Sequence, residues 1–378
     1  MTKQHFLVVA GDPSGDLLAA NLVRAMKKIN PDIEVTALGG KHLKACSERF
    51  LVDLVSQYAG GFWIPLKKIL FFKNVLKNTI RPELAQGHID RVILVDFYGF
   101  NRHVAGIAAR YGKPVYYYAC PQFWASRPGR LNRIKSYVKR FLVLFPFEVD
   151  YYKSRGLSAT FVGHPLLDPI LAIHTSSNGT QRHMEPLVGL IPGSRPDEVR
   201  RHLPVMMSVC DQIHKDWPGA RFILFAAPGL DPAIYSEILK PGTHLPYLLE
   251  IVRDEDYRWR SQLDMAMTAS GLETLESALL GIPMAVMYKM PWVTYCIAKA
   301  IVTIPDVAIP NILAGRRVVP EFIQHKAQAG PIAEILKGWL KNPAERELVK
   351  KNLLQLREGF GEPGASERAA RVVLEVAA

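Results

Sequence analysis

The chain has 378 residues, of which 49% are hydrophobic and 22% charged, a composition that excludes a largely disordered protein and gives enough length for two domains. Its 47 lysines and arginines outnumber 35 aspartates and glutamates, which gives a formal net charge of +12 and favours anionic partners. Its apolar runs fall short of the roughly 18 residues that a membrane span needs, so we expect no transmembrane helix.

Strand-like apolar runs and helical patterns alternate through the first half of the chain. The N-terminal MTKQH leads directly into the strand FLVVAG without a signal-peptide pattern, so we expect a cytoplasmic protein. Continuous apolar runs such as VILV at 92–95 are typical of strands covered on both faces of a parallel sheet. The predicted strands are 6–10, 34–38, 91–96, 114–119 and 141–145, and the predicted helices are 15–29 and 102–111.

A polar stretch at 175–181, TSSNGTQ, is typical of a linker, and the alternation begins again after it. The strands predicted there are 187–191, 221–226, 248–252, 265–269 and 283–287, and the tail from 330 is predicted to be helical. We therefore predict an α/β fold with two doubly wound, Rossmann-like domains facing a cleft. The predicted parts are an N-terminal domain at 1–170, a linker at 171–185, a C-terminal domain at 186–345, and C-terminal helices at 346–378 that can return to the N-terminal domain.

Ligands of such sheets bind at the carboxyl ends of the strands, so the residues that follow each strand are candidates for a site. Asp12, Ser14 and Asp16 follow the first strand, and Asp96 ends another. In VGLIPGSR at 188–195, an apolar strand stops at a turn just before a helical pattern. The backbone N–H groups of Gly193 and Ser194 and the guanidinium of Arg195 would lie at a helix N-terminus, which suits a diphosphate. An ordinary loop is the alternative for either turn.

The segment SGLETLE at 270–276 follows another predicted strand. Ser270 and Glu273 have the spacing of a capping box, which is the structural interpretation of that pair. Glu276 lies one helical turn further on, where its carboxylate could accept hydrogen bonds from the two hydroxyls of a ribose.

We expect no metal, no cofactor and no nucleic-acid partner. The acidic triplet at 254–256 lies in a charged segment that is typical of a solvated loop. The basic residues are spread along the chain without a nucleic-acid-binding motif, and a phosphorylated substrate or an anionic membrane surface explains the charge equally well. The cysteines have no metal-ligand spacing and are interpreted as reduced thiols: Cys46, Cys120, Cys210 and Cys296.

Eight motifs, taken together and in order, resemble those of the lipid-A-disaccharide synthases. They are GDPSGD at 11–16, VDFYGFN at 95–101, PQFWASRPGR at 121–130, LFPFE at 144–148, FVGHPLLD at 161–168, PGSRPDEV at 192–199, ASGLETLE at 269–276 and PNILAGRRVVPEFIQ at 310–324. The resemblance covers nearly the whole chain and implies a glycosyltransferase of two Rossmann-like domains. It further implies inverting transfer of 2,3-diacylglucosamine from its UDP donor to 2,3-diacylglucosamine 1-phosphate, which gives a β-1,6-linked disaccharide phosphate and UDP.

The resemblance also implies roles for individual residues. Asp96 matches the family's essential aspartate and is the candidate base, with Asp12 and Asn311 as further catalytic candidates. Arg195 matches the arginine at the donor diphosphate, and Ser14 and Gly15 are expected on the acceptor side. The other expected donor-binding residues are Gly193, Ser194, Ser270, Gly271, Glu276 and Gln324.

The chain departs from the family's pattern at three positions. Asp12 stands where the family usually has glutamate, Gly99 where it has a second aspartate, and Leu272 where it has threonine. These departures leave the reaction class unchanged and bear on the exact substrate.

Residues 62–73, FWIPLKKILFFK, interleave apolar side chains with lysines, as interfacial helices do. We therefore predict that Phe62, Trp63, Phe71 and Phe72 face lipid and that the protein associates peripherally with the inner face of the cytoplasmic membrane. A core helix with a basic solvent face is the alternative.

Three other functions stay open at this point. A dinucleotide-dependent oxidoreductase would share the alternating pattern, although the first turn lacks G-x-G-x-x-G. A non-catalytic basic binding protein would have no need of Asp96. A UDP-sugar epimerase, or a transferase with a soluble acceptor, would share the architecture, and a homodimer is compatible with each of these functions.

Overall fold

The computed structural model describes residues 3–57, 66–125, 128–176, 185–240, 245–302 and 304–376. The chain divides into two compact units, Met1–Pro165 with Glu362–Ala378 and Leu166–Gly361. This division differs from the predicted one at both of its boundaries. The helix Leu167–Ser176 belongs to the second unit, and the tail that was predicted as one element at 346–378 is divided between the two units.

The first unit is built on a parallel sheet of seven strands among its described residues, in the order β3-β2-β1-β4-β5-β6-β7. The strands are β1 (His5–Ala10), β2 (Glu34–Gly39), β3 (Arg49–Asp53), β4 (Arg91–Val95), β5 (Val115–Tyr118), β6 (Arg140–Val143) and β7 (Ala159–Phe161). The helices are α1 (Pro13–Ile29), α2 (Lys41–Lys44), α3 (Leu66–Val75), α4 (Arg81–Ala85), α5 (Tyr98–Arg110) and α6 (Pro146–Lys153), and a π-helical turn, Leu76–Ile80, joins α3 to α4.

Both faces of this sheet are buried, because successive side chains of a strand point to opposite faces. Leu7 and Val9 of β1 pack into one apolar cluster, which includes Val104 of α5. Phe6 and Val8 pack into the other cluster, against α1. This two-sided burial explains why the strands are continuous apolar runs rather than alternating ones.

The chain's last helix, α15 (Ala365–Leu374), packs against α1, so the predicted return of a C-terminal helix to the N-terminal unit is confirmed. Glu375, just beyond α15, pairs with Lys139 and Arg91 and accepts a hydrogen bond from Tyr116. The hydrogen bonds from Lys139 and Tyr116 lower the pKa of Glu375 to about 2. The tail is therefore fixed by both apolar packing and charge.

The second unit has a parallel sheet of six strands among its described residues, in the order β10-β9-β8-β11-β12-β13. The strands are β8 (Leu187–Ile191), β9 (Arg221–Phe225), β10 (Leu249–Val252), β11 (Met265–Ala269), β12 (Met284–Tyr288) and β13 (Glu321–Ile323). The helices are α7 (Leu167–Ser176), α8 (Pro196–Asp216), α9 (Ala233–Leu239), α10 (Leu272–Leu279), α11 (Trp292–Ile301), α12 (Ile309–Ala314), α13 (Ala329–Lys341) and α14 (Pro343–Glu358).

Two doubly wound α/β units confirm the predicted fold class. Each predicted strand is present within two residues of its predicted ends. The short strands β3, β7 and β13 were missed, because each contains at most three consecutive apolar residues. No helix in the described part of the chain is both long enough and apolar enough to cross a bilayer.

A buried carboxylate anchors the first helix to the neighbouring turn. Asp16, in the first turn of α1, is 1% exposed and accepts backbone hydrogen bonds from Gly40 (2.7 Å), His42 (2.9 Å) and Leu43 (3.2 Å). These N–H groups belong to the start of α2, where no intrahelical carbonyl is available to them. Asp16 is therefore a structural anchor.

We predict that Asp16→Ala lowers the free energy of unfolding by about 2 to 4 kcal/mol, because it leaves several N–H groups without their charged acceptor. Urea unfolding followed by circular dichroism measures the change. Asp32→Ala, at an exposed position of the same unit, is the control and should shift stability by less than about 0.5 kcal/mol. Equal stability of the two variants would contradict the anchoring role.

Candidate active site

Each sheet reverses its strand order at one point, and the predicted turns lie there. In the first unit β1 and β4 are neighbours, with Ala10 beside Val95, so Gly11 and Asp96 leave adjacent strands. In the second unit β8 and β11 are neighbours, with Ile191 beside Thr268, which brings the PGSR turn beside Ser270 and Gly271. Ligands of open α/β sheets bind at such switch points.

The helix cap Asp12 and the aromatic ring of Phe97 fix the turn after β1. Asp12 is the N-cap of α1, and its buried carboxylate accepts from the Ser14 hydroxyl (2.7 Å) and the Gly15 N–H (2.8 Å). A Cβ on Gly11 would lie 2.0 Å from the Phe97 ring, so only glycine fits there. The turn is thereby fixed against the end of β4. Asp12 and Ser14 are engaged with each other, which favours a structural role for both.

Asp96 and Phe97 both adopt the left-handed backbone conformation, with φ of 40° and 48°. Such a conformation costs about 1–3 kcal/mol for each residue without a glycine and persists only where neighbours enforce it. The buried Asn101 donates to Val95 O (3.1 Å) and Asp96 O (2.8 Å), and the Tyr117 hydroxyl donates to Asp96 O (2.7 Å). These bonds turn the chain abruptly out of β4 and so fix the direction of the Asp96 side chain.

The Asp96 carboxyl is half-buried, and loss of hydration raises its pKa to about 7. The nearby Asp12 carboxylate raises the pKa of Asp96 further, while a hydrogen bond from the Phe97 N–H opposes the shift. A carboxyl with a pKa near neutrality can exchange a proton with a substrate at physiological pH. Asp96 does not cap α5, because Phe97 occupies the N-cap of that helix.

The turn after β8 is closed by a glutamate from the helix that follows it. Glu198 of α8 accepts from the Ser194 N–H (3.1 Å) and the Arg195 guanidinium (3.0 Å). The Tyr288 hydroxyl, at the end of β12, also donates to Glu198 (2.8 Å). Gly193 has φ of 114°, and a Cβ there would lie 2.6 Å from the Glu198 carboxylate. The predicted diphosphate donors are therefore preassembled around an internal anion, with the Arg195 side chain 56% exposed.

The capping-box interpretation of Ser270 and Glu273 is wrong. The Ser270 hydroxyl donates to Val307 O (3.0 Å), and Gly271 is the N-cap of α10 without a side-chain cap bond. A Cβ on Gly271 would lie 2.7 Å from the Glu273 carboxylate, which therefore lies against the glycine. Burial raises the pKa of Glu273 to about 7, and the charges of Glu276 and Glu198 add to that effect. An acidic cluster thus lies beside the PGSR turn.

Glu276, the predicted ribose ligand, is held by two partners. Its carboxylate accepts from the Tyr257 hydroxyl (3.0 Å) and pairs with Arg260. The acidic triplet lies in the same loop, where Glu255 and Asp256 are exposed as predicted and Asp254 is not. Asp254 is 7% exposed and accepts from the backbone N–H groups of Trp259 (3.1 Å) and Arg260 (2.9 Å). Burial raises the pKa of Asp254.

Asn311 and Gln324 hold loops of the second unit. Asn311 is fully buried, donates to Val319 O and to Glu321, and accepts from the N–H groups of Val318 and Val319. Because its amide is fully engaged, the structure gives it a structural role instead of the predicted catalytic one. The Gln324 amide accepts from the Met290 N–H (2.9 Å) and donates to Met290 O (3.1 Å). It fixes the turn after β12.

The lipid-facing prediction is corrected within α3. Phe62 and Trp63 lie outside the described residues, and Phe71 and Phe72 are half-buried against the core. The Phe72 ring packs on the rings of Phe97 (5.7 Å between centroids) and Phe100 (5.4 Å). Among the side chains of α3 that the structure describes, the large apolar ones that are exposed are instead Ile69 and Leu70, at 39% and 58%. Trp292, Val293 and Ile297 of α11 are exposed to a similar or larger degree.

Three functional neighbours were missed from the sequence, namely His202, Tyr288 and Glu321. Tyr288 ends a strand, so the rule that led to Asp96 could also have found it. The Glu321 carboxylate accepts from the N–H groups of Val307 and Ala308, a loop contact without a local signal. His202 lies inside the helix α8, where its position gives no local signal. No cluster of three or more histidine, cysteine or acidic side chains suited to a metal occurs among the residues that the structure describes.

A search of solved structures supports the fold. A putative UDP-N-acetylglucosamine 2-epimerase from Listeria monocytogenes is similar with a TM-score of 0.66 at 14% identity, with 99% of this chain and 95% of that chain covered. At that identity the similarity concerns architecture alone.

Sequence relatives identify the family. The lipid-A-disaccharide synthase of Geobacter metallireducens is 36% identical over 99% of this chain and 97% of its own length. The lipid-A-disaccharide synthase of Syntrophus aciditrophicus is 36% identical over 99% of this chain and 98% of its own length. The family model described as lipid-A-disaccharide synthetase matches residues 6–375. With collinear motifs, two doubly wound units and relatives that match from end to end, the chain belongs to the lipid-A-disaccharide synthetase family.

Proposed function

We propose that the protein transfers 2,3-diacylglucosamine from its UDP donor to 2,3-diacylglucosamine 1-phosphate, with UDP as the leaving group. The observation that carries this proposal is Asp96, a carboxyl with a pKa near 7 that a strained turn holds at the switch point of the first sheet. The clustering of Ser194 and Arg195 at the N-terminus of α8 supports a diphosphate at the second sheet.

The proposed reaction is a displacement at the anomeric carbon. The acceptor hydroxyl gives its proton to the Asp96 carboxylate while its oxygen forms a bond to the donor's anomeric carbon. The bond from that carbon to the diphosphate breaks, and its electron pair leaves with UDP. Arg195 balances the charge that develops on the leaving diphosphate, and attack opposite the leaving group inverts the anomeric configuration.

Product analysis tests the proposed function. The purified protein is incubated with both lipid substrates, and the products are identified by mass spectrometry. We expect a disaccharide 1-phosphate and UDP in equal amounts, and no UDP when the acceptor is left out. The second candidate is an epimerase, which would share the architecture. It would convert a UDP-sugar without an acceptor and would contradict the transfer.

We predict that Asp96→Asn lowers kcat by about 100-fold or more, because the amide keeps the shape of the carboxyl but cannot accept the proton. The affinity for UDP, measured by calorimetry, should change little. Turnover within a few-fold of the parent would remove Asp96 as the base.

The raised pKa of Asp96 predicts how activity and stability change with pH. In the parent, kcat/KM should rise with pH through about 7 as the carboxyl ionises. Asp12→Asn keeps a good N-cap but removes the neighbouring charge, so this rise should move to lower pH.

Because folding raises the pKa of Asp96 above 3.8, the ionised group destabilises the parent. Asp96→Asn should therefore be the more stable protein at pH 8, and the difference should fade toward pH 4.

We predict that Arg195→Ala lowers kcat by about 100-fold, because the interaction strengthens as the diphosphate gains charge in the transition state. Arg195→Lys should recover only part of the loss, since it restores the charge without the planar fork. Steady-state kinetics with UDP calorimetry measure both effects. The matched control is Arg200→Ala, an exposed arginine further along α8 that pairs with Glu237. Equal kcat for the two alanine variants would exclude Arg195 from the mechanism.

We also propose that the protein acts at the inner face of the cytoplasmic membrane as a peripheral protein, with a homodimer as one possible assembly. Support comes from the exposed Ile69 and Leu70, which lie on the acid-free helix α3 beside Lys68 and Lys73. Apolar side chains among lysines suit the headgroup boundary of an anionic bilayer.

We predict that the double variant Ile69→Ser, Leu70→Ser binds anionic vesicles more weakly than the parent, because it removes the side chains that would enter the bilayer. Co-sedimentation with phosphatidylglycerol vesicles measures this binding. The control is Leu248→Ser, an equally exposed leucine of the second unit at 53%. If the double variant sediments as the parent does, α3 makes no membrane contact.

A further inference from the structure

A fully buried histidine connects two turns of the second unit. His202 lies in α8 and has no exposed surface. Its Nδ1 is 2.7 Å from Pro192 O, and its Nε2 is 2.9 Å from the backbone nitrogen of Lys289. The carbonyl can only accept and the N–H can only donate, so Nδ1 carries the proton and Nε2 is the acceptor. Burial also lowers the pKa of His202, which agrees with a neutral ring.

The His202 ring connects two turns that follow strands which are not neighbours in the sheet. Pro192 begins the turn after β8, and Lys289 begins the turn after β12. The strand β11 lies between β8 and β12, so the strands that lead into these two turns do not pair directly with each other. The side chain of His202 is the direct hydrogen-bonded connection between them.

Other contacts fix the same pair of turns from either side. The Tyr288 hydroxyl donates to Glu198, which in turn accepts from Ser194 and Arg195, and the rings of His202 and Tyr288 lie 5.1 Å apart. On the far side, both hydrogen bonds of the Gln324 amide go to the backbone of Met290. The turn at 289–290 is thereby fixed relative to the turn at 192–195.

We propose that His202 is a positioning residue for the nucleoside diphosphate, and that it holds the Pro192–Arg195 turn and the Lys289–Met290 turn at the spacing at which both meet the ligand. This inference rests on the proposed function, in which the diphosphate binds at Ser194 and Arg195. His202 acts through the two turns and touches no substrate itself.

Two partial replacements separate the two hydrogen bonds. His202→Asn keeps a donor near the Nδ1 position and loses the acceptor, whereas His202→Gln keeps an acceptor near the Nε2 position and loses the donor. His202→Phe fills the volume and loses both. UDP affinity is measured by calorimetry, donor KM and kcat by steady-state kinetics, and stability by thermal unfolding.

We expect the dissociation constant for UDP and the donor KM to rise about tenfold in His202→Phe and about threefold in each partial replacement. The matched control is His214→Phe, in the last turn of the same helix, where the ring packs on Tyr247 away from both turns. It should leave UDP affinity unchanged, whatever its effect on the melting temperature. If His202→Phe does not fold, UDP binding by His202→Asn and His202→Gln tests the positioning role instead.

Parent-like UDP binding by the His202 variants, with a lower melting temperature only, would show a purely structural role and overturn this proposal alone. A parent protein that binds no UDP would overturn the proposed function as well. Weakened UDP binding in the His202 variants but not in His214→Phe supports the positioning role.

Discussion

The structure depends on how the chain satisfies its backbone where the parallel strands end. Beyond the last ladder hydrogen bond, a turn must find partners for its own N–H and C=O groups, and an unsatisfied buried group costs about 1–3 kcal/mol. In both units polar side chains supply such partners, at the switch points and at other turns and loops. They are Asp12, Asp16, Asn101, Glu198, His202, Asn311, Glu321 and Gln324. The turns are therefore rigid before any ligand arrives, which is the condition for electrostatic preorganisation.

The residues that support the turn after β4 are different from the residue that is proposed to react. Asn101 and Tyr117 satisfy the carbonyl of Asp96 and enforce its left-handed conformation, while the Asp96 carboxyl makes only one backbone contact. Its pKa is consequently set by burial and by Asp12 rather than by a strong donor. Asp12 and Asp16 looked like equivalent candidates in the sequence. Asp12 Oδ1 accepts from the Ser14 hydroxyl and the Gly15 N–H, and both oxygens of Asp16 accept from backbone N–H groups. The sequence therefore does not show that Asp12 and Asp16 support the backbone, whereas the Asp96 carboxyl is the candidate base.

The sequence predicts those features that arise from local pattern. Continuous apolar runs revealed ten strands, and the rule for carboxyl ends located Asp96 and the PGSR turn. The capping box failed because Gly271, not Ser270, is the N-cap of α10, and the Ser270 hydroxyl instead donates to Val307 O, which is 37 positions away and invisible to a local rule. His202 was missed for the same reason, since a histidine inside a helix pattern gives no sign that its two partners lie 10 and 87 positions away. Tertiary hydrogen bonds therefore decide what the local pattern leaves open.

Glu198 shows how a site for an anion can be kept in shape without one. In a chain of net charge +12, the N-terminus of α8 and Arg195 would form an unscreened positive centre. The Glu198 carboxylate neutralises part of that charge and orders Ser194 and Arg195. A diphosphate that binds there carries more charge than a carboxylate, so it can compete for Arg195, while Tyr288 remains available to hold Glu198. Repulsion between the two anions is the cost of this arrangement, and the benefit is a turn that does not need to reorganise when the donor binds.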